Sequence, residues 1–133
     1  MNRSIYVARG VASGLLKIGA SYAVANRLRA VANASGEAVE VLAVVPAHGP
    51  RLSGERALHR RFAPLLAADC GRGREWFRDD GSIAEWVAGL PAAQRGSFRV
   101  ECQRQGSRRG RFFEQRPAWP SFVVGAPAVG DAA

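Results

Sequence analysis

Six side chains scattered between residues 6 and 75 are of the types that a hydrolytic phosphate site uses: Tyr6, Lys17, Arg27, Glu55, His59 and Glu75. Hydrolysing a phosphodiester needs an activated water, a cation against charge developing on the phosphoryl oxygens, and stabilisation of the leaving oxygen. A hard divalent ion such as Mg²⁺ can be held by one carboxylate, with waters and substrate phosphate completing its shell. A single glutamate such as Glu75 is therefore enough. An arginine such as Arg27 offers phosphate a fixed two-pronged donor. A tyrosine near a cation can share or lose its proton and act as general base. Lys17, if it lies beside Tyr6, would favour the phenolate and depress its pKa. Each residue also has a plainer use. Tyr6 serves equally as an ordinary strand tyrosine, Arg27 as a solvated helix flank, and Glu75 as a cap or a partner of Arg74 or Arg78. His59 fits a satisfied, partly buried histidine, and Glu55 a carboxylate that holds Arg60 or Arg27.

The elements that must gather these groups follow from hydrophobic period. Ser4–Arg9 alternates, and Leu15–Gly19 does so again after a loop holding Gly10, Ser13 and Gly14, which predicts a hairpin. With Ile5, Val7, Leu16 and Ile18 on one face, Tyr6 and Lys17 fall together on the other. A helix is expected over about Tyr22–Asn33, N-capped by Ser21, with Val24, Leu28 and Val31 as its buried stripe and Arg27 at the stripe's edge. The β-branched run Val39–Val45 reads as a buried strand.

Beyond a turn at His48-Gly49-Pro50, a second helix starts near Ser53, anchored by Leu58 and Phe62 and ended by Pro64. Glu55 and His59 lie one turn apart on its flank. Trp76 and Phe77 read as core. A last helix carries the stripe Ile83, Trp86, Val87 and Leu90, with Ser82 and Glu85 as a capping box. These elements predict an α+β fold with a small three-stranded antiparallel sheet flanked by about three helices, occupying residues 3–91. Residues 92–133 read as a poorly structured basic tail, with one candidate strand at Ser97–Cys102.

Charge and composition narrow the function classes. The 133 residues carry a net +8, and of the 19 basic residues only Lys17 is lysine. Arginine's guanidinium suits phosphate contacts, although a GC-rich genome would also enrich it. The stretch from residue 92 holds seven arginines against three acids, half of the net charge, interleaved with Phe112, Phe113 and Trp119. Arg60, Arg61, Arg108, Arg109 and Arg111 are the candidate nucleic-acid contacts. Cys70, Cys102, His48 and His59 match no zinc-ligand spacing, so a structural metal is not expected. The chain contains no apolar run of about 20 residues, and no signal-peptide pattern precedes the first strand. The expected setting is the cytoplasm, with no membrane contact and no obligate protein partner.

Read in order, Ile5-Tyr6-Val7, Leu16-Lys17-Ile18-Gly19, Arg27, Glu55, Leu58-His59-Arg60-Arg61-Phe62 and Glu75-Trp76-Phe77 resemble the signature set of the GIY-YIG nuclease superfamily. Within it they resemble the phage-associated T5orf172 (Mug113-like) branch, where the second signature is commonly Lys-Ile-Gly. The resemblance covers residues 4–90 and implies a metal-dependent endonuclease acting on DNA. It implies that Tyr6 positions or activates the water, Arg27 holds the scissile phosphate, and Glu75 ligates Mg²⁺ or Mn²⁺. His59 would orient or relay a proton, and Lys17 takes the place of the second signature tyrosine. The chain departs from the pattern at Ser4, which replaces the first glycine, and lacks a late asparagine, since Asn2, Asn26 and Asn33 are all early. A catalytically inactive DNA- or RNA-binding module of the same fold is the alternative.

Overall fold

Two strands that each bury both faces set the architecture. In the computed structural model, which describes residues 3–47, 53–103 and 119–124, β1 (Ser4–Gly10) and β2 (Leu16–Ser21) form an antiparallel hairpin. Ile5, Val7, Leu16 and Ile18 enter one core, while Tyr6 and Ala8 enter another on the opposite side of the sheet. The alternation expected of the hairpin is present. Neither face is left to solvent.

The helix after the hairpin, α1 (Val24–Ser35), covers the Tyr6 face through Val24, Leu28, Val31 and Ala32. It begins two residues later than its sequence suggests. Ser21 Oγ accepts from the Ala23 N–H, so it shapes the turn before the helix rather than capping it. The chain then leaves α1 through Gly36, whose φ of 78° is the left-handed conformation that ends helices. β3 (Val39–Pro46) pairs with β1, and the shift of register between Val41 and Ala43 where it meets the last strand marks a bulge at Leu42. Val39 and Val41 therefore face α1, whereas Ala43 faces the other core.

On that second face, α2 (Ser53–Arg61) contributes Leu58, followed by Phe62, and α3 (Ser82–Ala88) contributes Ile83. α3 is not started by a Ser82–Glu85 box. Asp79 accepts from the N–H groups of Gly81, Ile83 and Ala84, and Asp80 accepts from Ser82, which satisfies the orphan donors of the first turn.

The expected three-stranded sheet is corrected by two further strands. The sheet has five, in the order β4-β2-β1-β3-β5. β4 is only Trp76–Phe77, too short to show a period, and it is held from both sides. It pairs with Leu16 and Lys17 of β2, while Ala67 N–H donates to the Trp76 carbonyl and Arg78 N–H to the Leu65 carbonyl. β5 (Arg95–Val100) lies in the arginine-rich stretch that reads as tail, where it overlaps the candidate strand Ser97–Cys102 but starts two residues earlier, and it pairs with β3. Its outward residues are polar and exposed, so only Phe98 and Val100 carry the signal of a strand.

A fourth, single-turn helix, α4 (Ser121–Val124), returns to the α1 face. There Val123 is buried, Trp119 packs at a tilt against Phe98, and Phe122 packs so closely that a Cβ at Gly96 would meet it at 2.6 Å. Chain beyond residue 90 thus completes the sheet and one of its cores. Removing residues 92–133 should abolish or strongly weaken cooperative thermal unfolding. Val123→Ala alone should cost about 1–3 kcal/mol in chemical denaturation, from lost burial and the cavity left behind. A truncated chain that melts like the full one would contradict the packing of β5 and α4.

Candidate functional site

Strand register brings the first three site residues together. Tyr6 lies opposite Gly19 in the β1–β2 ladder, Ala8 opposite Lys17, and Lys17 opposite Trp76 in the β2–β4 ladder. Directly paired residues share a face, so Tyr6, Lys17, Gly19 and Trp76 all point toward α1. Gly19 is required by contact: a Cβ there would meet Tyr6 Oη at 2.5 Å and Cζ at 2.7 Å. The phenol leans across β2 into the space that this missing side chain leaves.

Glu75 arrives from the neighbouring edge. Its carbonyl accepts from the Ile18 N–H at 3.1 Å, which extends the β2–β4 pairing by one residue and fixes the backbone. Its carboxylate then receives Lys17 Nζ on Oε1 at 2.6 Å. The partner of Glu75 is therefore Lys17 and neither Arg74 nor Arg78; Arg78 pairs with Asp69 instead. Oε2 of Glu75 has no hydrogen bond among the described residues, and the side chain is 43% exposed.

Arg27 stands on the exposed flank of α1, and its guanidinium has no ion pair or hydrogen bond among the described residues. It lines a cleft of ≈ 350 Å³ together with Lys17, Val31, Arg72 and Trp76; Tyr6, His59 and Glu75 are not among the lining residues, and Glu75 adjoins the cleft through Lys17.

The Tyr6 hydroxyl feels these charges. Burial pushes its pKa well above the ordinary tyrosine value; Arg27 pulls it back, while Glu75 and Glu55 raise it further. The expected lowering by Lys17 is thus overturned. Lys17 is committed to Glu75, and the cation acting on the phenol is Arg27. At neutral pH Tyr6 is a protonated hydroxyl, and it makes no hydrogen bond among the described residues.

His59 is placed differently. Its Nε2 lies 2.9 Å from the Ile18 carbonyl, so that nitrogen carries a proton and donates it, and the ring tilts against Phe77 on the second core. Glu55 is buried, with Oε2 3.8 Å from His59 Nε2, and pairs with neither Arg60 nor Arg27. Arg60 and Arg61 are exposed on α2, and neither lines the cleft. Arg108, Arg109 and Arg111 lie outside the described residues.

One further group, which no pattern in the sequence announces, is prominent in the geometry. Glu37, buried just after α1, accepts from the N–H groups of Ala12 and Ser13, the Ser13 hydroxyl and Arg72 Nη1. Burial alone would raise its pKa, but these hydrogen bonds together hold it below the usual carboxylate range. The carboxylate ties the β1–β2 loop, the end of α1 and the loop before β4 into one unit. Its partners lie 24 to 35 residues away, and no local pattern announces them.

As a donor set for a divalent ion, the site offers one carboxylate with one uncommitted oxygen. Among the described residues no cluster of three or more His, Cys, Asp or Glu could hold a metal. That fits an ion bound mainly by water and substrate phosphate, and does not fit a protein-caged one.

The molecule is thus a five-stranded α+β sheet covered on both faces, with a cationic cleft beside a single half-exposed carboxylate. The T5orf172 domain matches residues 3–90, and the chain belongs to that family. The family is associated with GIY-YIG-like nucleases, which points to a nuclease-like or DNA-binding function. No curated protein and no solved structure matches the chain. No helix among the described residues is long and apolar enough to cross a membrane.

Two outcomes follow from the Tyr6–Gly19 contact. Gly19→Ala should destabilise the fold by about 1–3 kcal/mol through overpacking, and combination with Tyr6→Phe should be non-additive. Tyr6→Phe should leave the tyrosinate absorbance of the folded protein unchanged up to about pH 10, because the buried phenol does not ionise there.

Proposed function

We propose that this cleft hydrolyses DNA phosphodiester bonds with the help of one divalent cation, Mg²⁺ or Mn²⁺. The observation that carries the reading is the place of Lys17. Its ammonium holds Glu75 Oε1, it lies on the same face of the hairpin as Tyr6, and it lines the cleft with Arg27, which has no protein partner among the described residues. Arg27 binds the phosphate and opposes the charge that grows on its oxygens. Tyr6, remaining protonated, orients the attacking water through its oxygen, or a phosphoryl oxygen through its proton. Glu75 would hold the cation through its uncommitted oxygen, with Lys17 keeping the other in place. The cation, when bound, supplies Lewis acidity and makes the water more acidic. His59 serves as a positioning residue, holding β2, and with it Lys17 and Gly19, through the Ile18 carbonyl. The finer placement in the Mug113-like branch, the phage association and a cytoplasmic setting without an obligate protein partner belong to the same proposal.

One contact favours a second reading. The Lys17 ammonium already neutralises Glu75, which would suit a nucleic-acid-binding module without turnover. Incubation with supercoiled plasmid separates the two. The enzyme should nick only with Mg²⁺ or Mn²⁺, and Glu75→Ala and Arg27→Ala should each lower the rate by about 10² or more. DNA binding with no nicking under either metal would leave the module.

A further inference from the structure

The cleft extends past the groups assigned above. Arg27, Ala30, Val31 and Ala34 fall at i, i+3, i+4 and i+7 and present one stripe of α1 to it. Past Arg27 the exposed positions of that stripe are alanines, and the facing loop contributes Gly71, so the walls are low and two backbones are accessible. The floor is Trp76, with the Arg72 guanidinium 4.7 Å and the Lys17 ammonium 5.9 Å from its ring centroid. Arg72 is not a loose surface cation. Its Nη1 is fixed on the buried Glu37 carboxylate at 2.8 Å, and its other N–H groups have no acceptor among the described residues. A guanidinium held on one edge by a carboxylate, stacked on an indole and open on its remaining edge is oriented in advance for an anion.

We infer that this part of the cleft is a second phosphate subsite, in which Arg72, aimed by Glu37 and Trp76, binds the phosphate that neighbours the one held by Arg27. At ≈ 350 Å³ the cleft lies at the lower end of small-ligand pockets, which leaves room for a phosphate with its sugar beside the first. The alanine stripe lets the strand approach the helix, and Glu37 acts through Arg72 as a positioning residue. The inference rests on the reading of the adjoining cleft as a nucleic-acid site, but it needs only binding and no turnover.

The test uses the full chain and a short DNA oligonucleotide without divalent cations. Arg72→Met should weaken binding about tenfold and make the dependence of log K on log salt shallower by about one, and Arg72→Lys should restore the slope. Ala34→Glu, at an exposed position of α1 that lines the cleft, should weaken binding as well while leaving the melting temperature unchanged. Heteronuclear NMR should show the Arg72 side-chain N–H and the Trp76 indole N–H shifting with added oligonucleotide, which a purely structural arginine would not do. Wild-type affinity in both Arg72→Met and Ala34→Glu, with those signals unmoved, overturns the subsite and leaves the Tyr6, Arg27 and Glu75 assignment intact. Absence of any DNA binding by the wild-type chain overturns both.

Discussion

A tyrosine in the middle of a sheet buried on both sides must find a place for its hydroxyl, and an apolar one would cost several kcal/mol. Tyr6 meets this requirement by lying over Gly19, whose missing side chain leaves space for its oxygen within electrostatic reach of Arg27, Glu75 and Glu55. Most of the site follows from that placement. Gly19 is needed because the ring occupies its side-chain space. β4 must lie beyond β2, because Trp76 closes the core next to the phenol and carries Glu75 to its edge.

Carboxylates then decide which cations are available. Lys17 is bound to Glu75 and Arg72 to Glu37, whereas Arg27 has no partner among the described residues. The pairing sorts three positive groups lining one cleft into one without a protein partner among the described residues and two held in set orientations. Charged groups left together without such counterparts would repel one another and swing into solvent. Like-charge crowding is thereby turned into a defined shape, at the cost of weakening Glu75 as a metal ligand while Lys17 remains on it.

What the sequence disclosed was what has a period or a signature. Alternation placed Tyr6 and Lys17 on one face, and the helical stripe put Arg27 at the edge of α1. Order and spacing identified the family over almost the span that matches. The misses share a physical cause. β4 is two residues long and held by tertiary hydrogen bonds, so no alternation can show it. β5 is legible in part, as the candidate strand Ser97–Cys102, but its exposed face of arginine and serine gives no sign that it joins the sheet. Glu37 and Arg72 act through contacts some 35 residues apart, and an isolated glutamate after a glycine has no local mark of burial. The sign of the Tyr6 shift was lost for a related reason: period gives the face of a residue, but neither its depth nor the partner its neighbour has taken.

Two packed segments beyond the family match bear on how α1 is held. Gln103 N–H donates to Asn33 Oδ1 at the end of α1, and Trp119 packs at a tilt against Phe98 with Arg29 of α1 over its ring. Val100 and Val123 are buried in the same core as Val24, Leu28 and Val31. The helix that walls the cleft and carries Arg27 therefore rests in part on β5 and α4, which lie outside residues 3–90. Loss of that support would leave one side of α1 without its packing partners, so the position of Arg27 depends on chain outside the matched span.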